Sequence, residues 1–143
     1  MITARDILGR KGSQVHFTTP DSTVYDALAL MAEKNVGALM VIEAGKLVGV
    51  FSERDYARKV VLKGKFSREA TVREVMTPNP LVIRPDEEIT TCMRIMTERQ
   101  IRHLPVMEGD VLAGVISIGD VVKSIIEDQK DSIQNLERYI TGR

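Results

Sequence analysis

At 143 residues and 16.0 kDa the chain has the length of one domain, enough to bury a core without staples, since folding at this size hides roughly 68–70% of the unfolded surface. Twenty Lys plus Arg against twenty Asp plus Glu give a formal charge of zero with no block of like charges, which argues against a nucleic-acid polymer or a membrane surface as partner. A single cysteine, Cys92, excludes an internal disulfide and a cysteine-based zinc cluster, so no metal is expected.

The N-terminal stretch MITARDILGRKGSQ carries charges where a secretion leader needs apolar residues, and no apolar run approaches the ~18 residues of a membrane helix. A cytoplasmic protein is expected. Val15-His16-Phe17-Thr18 is a short extended stretch followed by Pro20-Asp21, where proline disfavours helix at the residue before it and Asp can cap the helix after it. That helix carries Val24, Ala27, Leu28, Met31 and Ala32 on one face. ALMVI (38–42) and LVGVF (47–51) flank the turn Glu43-Ala44-Gly45-Lys46 and predict a hairpin, and a second helix follows GVFSERD (49–55). The same order then returns: an extended Leu81-Val82-Ile83, a helix with Ile89, Cys92, Met93 and Met96 on one face, a hairpin of LPVM (104–107) and VLAGVI (111–116), and a helix after GVISIGD (114–120).

This is an internal repeat. A shift of 65 residues aligns 20–61 with 85–126 without a gap and puts Ser52 on Ser117 and Asp55 on Asp120. A leader precedes each copy, Thr3-Ala4-Arg5-Asp6-Ile7-Leu8 against Thr71-Val72-Arg73-Glu74-Val75-Met76, but at an offset of 68. The first copy therefore has three extra residues, expected in a loop with Gly12 and Ser13. Each unit reads strand, helix, strand, strand, helix, an α+β arrangement of small sheets packed with helices, and neither copy could easily bury its surface alone. The final segment, 120–140, is longer than its counterpart. Val122, Ile126, Ile133, Leu136 and Ile140 fall near a heptad seam broken by Gln129, so this tail either folds back on its own pair or serves dimerisation or a protein partner.

The repeated heptapeptide carries the chemistry. Ser52 and Ser117 stand where a strand meets a helix, so a hydroxyl and free backbone N–H groups face a point where the helix dipole favours phosphate. Asp55 and Asp120 lie one turn further on, and an ionised carboxylate accepts from both hydroxyls of a ribose. The competing reading is a capping box, with the acid simply tying down the N-cap N–H. Arg102-His103 could meet phosphate oxygens or be a solvated pair, and Arg54, beside Asp55, could reach a phosphate or remain at the surface. Gly109 and Gly114 have P-loop spacing, but Val115 and Ile116 occupy the Lys and Ser/Thr places, so no NTPase follows. His16 and His103 build no nucleophilic triad.

The unit order, VREVM (72–76), RHLPV (102–106) and the two Gly-x-x-Ser-x-x-Asp stretches together resemble the tandem CBS-domain proteins, the CBS pairs or Bateman modules. The resemblance implies one pair module over 1–143, made of βαββα repeats at 3–66 and 71–127 related by a pseudo-twofold axis and followed by a helical tail at 128–143. It implies a non-catalytic sensor binding an adenosine-containing ligand (AMP, ADP, ATP, NAD(H) or S-adenosylmethionine) in clefts between the repeats, commonly as a homodimer. The alternative is a dimerisation domain without a ligand. The implied nucleotide-binding residues are Ser52, Arg54, Asp55, Arg102, His103, Ser117 and Asp120. It further pairs Asp55 with Arg102 and His103 of the other unit, and leaves the Asp120 cleft, where Gly37 and Ala38 stand at the matching place, without those two side-chain cations. No effector domain is expected within these 143 residues to name a regulated target.

Overall fold

The computed structural model describes residues 1–141; Gly142 and Arg143, the end of the expected tail, lie outside the described residues. In chain order the elements are α1 (Ala4–Lys11), β1 (Phe17–Thr18), α2 (Val24–Lys34), β2 (Ala38–Glu43), β3 (Lys46–Ser52) and α3 (Glu53–Asp55), which runs into a π-helical turn over Tyr56–Val61. Then come α4 (Val72–Val75), β4 (Thr77–Pro78), α5 (Ile89–Arg99), β5 (His103–Glu108), β6 (Val111–Ser117) and α6 (Ile118–Thr141).

Each predicted hairpin forms, β2 against β3 and β5 against β6, both antiparallel and both with a register shift at the equivalent place, Val41/Ile42 and Val106/Met107. Positive φ at Ala44 and Gly45 closes the first hairpin with the backbone that matches strand twist. The helices α2 and α5 end alike, on left-handed Asn35 and Gln100. The short entry strands are less regular than predicted. Only Phe17 and Thr18 pair with β2, in parallel, and the 81–83 stretch keeps a single parallel bridge, Ile83 to Val106. Pro80 and Pro85 bracket that stretch, and proline gives a ladder no donor.

The two leaders cross over. Ala4, Ile7 and Leu8 of α1 are buried among Ile83, Ile89, Cys92, Met96, Leu104, Val106, Ile116 and Val121, which is the core of the second repeat. Val72 and Val75 of α4 are buried with Val24, Ala27, Met31, Leu39, Val41, Phe51 and Val60, the core of the first. Backbone bonds repeat the exchange. Ala4 N–H donates to Glu87 O (2.9 Å) and Arg5 N–H to Pro85 O (2.8 Å), while Val72 N–H donates to Ser22 O and Arg73 N–H to Pro20 O (both 2.9 Å). A leader therefore completes the sheet-and-helix core of its neighbour, and the pair is held by apolar burial worth about 1.5–3 kcal/mol for each large side chain hidden.

The glycine that opens each heptapeptide makes room for the crossing. A Cβ on Gly114 would stand 2.6 Å from Leu8 Cδ2, and one on Gly49 would stand 2.6 Å from Met76 Sδ and 3.0 Å from the Thr77 carbonyl. Leu8 and Met76 are equivalent leader positions, so each unit needs glycine for the same close approach. Cys92 is buried within the second core, and burial, helped by the Glu87 charge, pushes its thiol up to about 11. Such a thiol packs rather than reacts.

The extra residues of the first leader are partly helical. α4 stops at Val75 and Met76 turns extended into β4, whereas α1 continues to Lys11 before Gly12 ends it with φ 92°. Gly12 and Ser13 lie in the loop as expected, but Gly9, Arg10 and Lys11 form one more helical turn.

Candidate functional site

Both Ser-x-x-Asp stretches cap a helix. Ser52 N–H donates to Asp55 Oδ2 (2.9 Å), Ser52 Oγ donates to the same oxygen (3.0 Å), and Asp55 N–H returns a bond to Ser52 Oγ (3.2 Å). Ser117 N–H donates to Asp120 Oδ2 (2.8 Å), and Asp120 N–H donates to Ser117 Oγ (3.1 Å). The capping-box reading thus holds at both sites, which leaves the second carboxylate oxygen to separate them.

Asp55 has spent it. Its Oδ1 accepts from Thr77 Oγ1 (3.3 Å) and pairs with Lys59 Nζ (3.1 Å), one turn along its own helix, and the residue is 9% exposed. Asp120 differs. Lys11 Nζ joins Ser117 on Oδ2 (2.6 Å), and Oδ1 has no hydrogen-bond or ion-pair partner among the described residues. Burial alone would raise the Asp120 pKa, but the Lys11 ammonium and the Ser117 N–H hold it below the usual carboxylate value.

A cavity of about 300 Å³ opens beside this carboxylate. Its walls come from three places. Lys11, Gln14, Val15 and His16 follow the first leader, Val36 to Ala38 and Met40 belong to the first repeat, and His103, Val115, Ser117 and Asp120 belong to the second. The space lies between the repeats, where a carboxylate, a hydroxyl, two imidazoles and an ammonium face mixed apolar and backbone surface. A second depression, of about 510 Å³, is lined among the described residues by α6, from Ile118 to Lys130. It is a helix flank rather than a cleft.

The seven predicted residues divide unevenly. Ser117, Asp120 and His103 meet in the cavity. The expected pairing of Asp55 with His103 and Arg102 is not what lines this cavity: His103 shares it with Asp120 of its own repeat, because β5 and β6 are antiparallel neighbours in which His103 pairs directly with Ser117. The first repeat contributes Gly37 to the opposite wall, where a Cβ would lie 3.5 Å from His103 Cε1. Arg102 is exposed, and its carbonyl accepts the Ile118 N–H at 2.9 Å. Arg54 donates from Nη1 to the Gln100 carbonyl and so closes the C-terminus of α5. Ser52 and Asp55 cap α3 and do not line this cavity.

The Asp120 cleft also holds a cation that the sequence reading did not name, Lys11. Sequence reasoning missed it because the leader repeat ends at Leu8. The available signal was the offset change from 65 to 68, which marks inserted residues just where Arg10-Lys11 could extend the helix. Among the described residues no group of three or more His, Cys, Asp or Glu is placed to hold a metal, and no helix is long and apolar enough to cross a membrane.

Burial lowers the His103 pKa, and Lys11 and Arg102 lower it further against the opposing pull of Asp120. A base with a depressed folded pKa binds fewer protons folded than unfolded in the window between its folded value and about 6.5. There ∂ΔG/∂pH is positive, so stability rises with pH through this group and is lost as pH falls. Stability from Asp120 is lost only below about pH 4, because its folded pKa lies beneath the unfolded one. Urea titrations between pH 5 and 7 should show that positive slope, and His103→Gln should flatten it; an unchanged slope would locate the titration elsewhere.

Comparison with known proteins bears on this arrangement. The CBS domain family matches residues 4–62 and 72–127. The chain is 37% identical over 149 residues to the CBS domain-containing protein CBSX3, mitochondrial, of Arabidopsis thaliana, covering 98% of this chain and 72% of that protein. Among solved structures it is similar to a protein with CBS domains from Burkholderia ambifaria MC40-6, at 46% identity and a TM-score of 0.87 over 90% of this chain and 96% of that one. It is also similar to CBSX2 in complex with AMP, at 28% identity and a TM-score of 0.74 over 89% and 98%. With two matched domains, exchanged leaders and a cavity between the repeats, the chain belongs to the CBS-domain family, as a tandem pair with the α+β fold of its relatives.

Proposed function

We propose that this chain is a non-catalytic sensor module over 1–143, with repeats at 3–66 and 71–127 and a helical tail at 128–143, that binds an adenine mononucleotide in the cavity beside Asp120. One observation carries the reading. A partly buried carboxylate with one oxygen unpartnered among the described residues, an imidazole and an ammonium converge at the N-terminus of the 24-residue helix α6, inside a cleft between two repeats. Asp120 Oδ1 would accept from the ribose, and the helix N-terminus with Lys11 and His103 would face the phosphate. The AMP bound to the CBSX2 relative supports this ligand class. A volume of about 300 Å³ lies at the small end of ligand pockets, which run from roughly 300 to 1,000 Å³, and so favours AMP, ADP or ATP over NAD(H). Nothing in the cavity supplies a nucleophile with a positioned base and oxyanion donors, hence the non-catalytic reading. Cytoplasmic residence belongs to the proposal and rests on the sequence expectation.

Thermal shift with AMP, ADP, ATP, NAD, NADH and S-adenosylmethionine tests it. A ligand at a hundred times its Kd should add about 2.7 kcal/mol of stability, several degrees in Tm, and should be recovered intact afterwards. No shift with any of the six would end the sensor reading.

A second reading, homodimerisation, rests on α6. From residue 128 onward every residue with an assigned exposure is exposed, so the tail does not fold back on its own pair, and Ile133 and Leu136 are 57% and 59% exposed. Light scattering on the full chain and on a chain ending at 127 would separate a dimer held by the tail from one formed elsewhere or none at all.

A further inference from the structure

The reaching end of α1 has a use that the repeat does not explain. Lys11 Nζ donates to Asp120 Oδ2 at 2.6 Å and to the Val115 carbonyl at 2.9 Å, so it lies against the carboxylate proposed to hold the ribose and lines the same cavity. Helix α1 is fixed by Ala4, Ile7 and Leu8 in the second core, and Gly12 caps it on Leu8 O (2.8 Å), so the lysine is delivered from a rigid element rather than a loose loop. The second leader has no counterpart. Its helix stops at Val75, the equivalent residue is Asn79, and Asp55 draws its ammonium from Lys59 on its own helix instead.

We propose that Lys11 makes the Asp120 cavity selective for phosphorylated nucleosides over adenosine. The inference rests on the reading of that cavity as the nucleoside site. Without ligand, Lys11 neutralises Asp120 and occupies part of its acceptor capacity. A nucleoside without phosphate has to share the carboxylate with the ammonium and brings nothing to replace it. A nucleoside monophosphate supplies a second anion within the cavity, so the ammonium stands between phosphate and carboxylate and favours both. Lys11 is thereby a specificity residue, and its charge rather than its packing does the discriminating.

Isothermal calorimetry with adenosine and AMP on the wild type, Lys11→Met and Lys11→Arg tests the assignment. Methionine keeps a long apolar stem without the charge. In Lys11→Met the AMP affinity should fall about ten- to hundredfold, the loss of one charge-assisted hydrogen bond, while adenosine binds as well as before or better. Lys11→Arg should retain most of the AMP preference. A merely structural role would weaken both ligands alike and leave their ratio unchanged, and that result, or equal wild-type affinity for the two, overturns the proposal while the nucleoside site stands. If the wild type binds neither adenosine nor AMP, the site reading itself fails and takes the proposal with it.

Discussion

Ile7→Ala should cost about 2–5 kcal/mol of stability, the usual range for emptying a well-packed aliphatic site, and the loss should appear in the second repeat rather than the first. Ile7 is 2% exposed and belongs to the buried cluster that holds Ile89, Cys92 and Leu104, not to the one that holds the α2 and β2 residues following it in the chain. Hydrogen exchange on the variant should therefore show β5, β6 and α5 losing protection first. Val75→Ala should do the reverse and loosen β2 and β3. The close approach at the heptapeptide glycine gives a companion test. Gly114→Ala forces a methyl against Leu8 and should destabilise by about 1–3 kcal/mol, and Leu8→Ala in the same chain should recover part of it, because the two positions compete for one space. Ile7→Ala costing under about 1 kcal/mol, or lowering protection chiefly in the first repeat, would show that the leaders do not cross.

The repeat, the hairpins, the helix faces and both caps were legible because each depends on spacing within a few residues. Gly49 and Gly114 recurred at one offset, and Asp55 and Asp120 fell one turn after a strand. Which core a leader enters depends on contacts between residues about 80–110 apart, such as Ala4 with Glu87 or Leu8 with Gly114, and periodicity carries no information at that range. The glycines were the one local clue, since a strand glycine often marks a close backbone approach. The partition of the site was hidden for the same reason. Antiparallel pairing of β5 with β6 sets His103 opposite Ser117, a register that the predicted hairpin of 104–107 with 111–116 did not specify. The spent state of Asp55 was out of reach altogether, since its Thr77 bond arises from a residue 22 positions away in β4, just after the second leader.

Asp120→Ala should abolish most nucleotide binding while Asp55→Ala should leave it within about twofold, although the two residues are the same letter in the same repeated motif. The difference follows from what each carboxylate already holds. Asp55 gives both oxygens to Ser52, Thr77 and Lys59 at 2.9–3.3 Å, so a ribose would have to displace bonds already made. Its removal should appear as lost stability, about 0.5–2 kcal/mol for the cap and more where buried donors are left unpaired. Asp120 keeps Oδ1 without a partner among the described residues beside the cavity, so its truncation removes, besides the Oδ2 that holds Ser117 and Lys11, one acceptor left for the proposed ligand. Charge-assisted bonds of about 1.5–3 kcal/mol correspond to a ten- to hundredfold loss in affinity. Some of that loss should be offset for phosphorylated ligands, because Lys11, released from the carboxylate, is then free to turn fully to the phosphate. Asp120→Ala should accordingly weaken adenosine more than AMP, the opposite bias to Lys11→Met. Calorimetry on the two Asp variants decides between the halves of the pair: binding lost with Asp55→Ala and kept with Asp120→Ala would put the ligand in the other cleft and mean that the Thr77 and Lys59 contacts open to admit it.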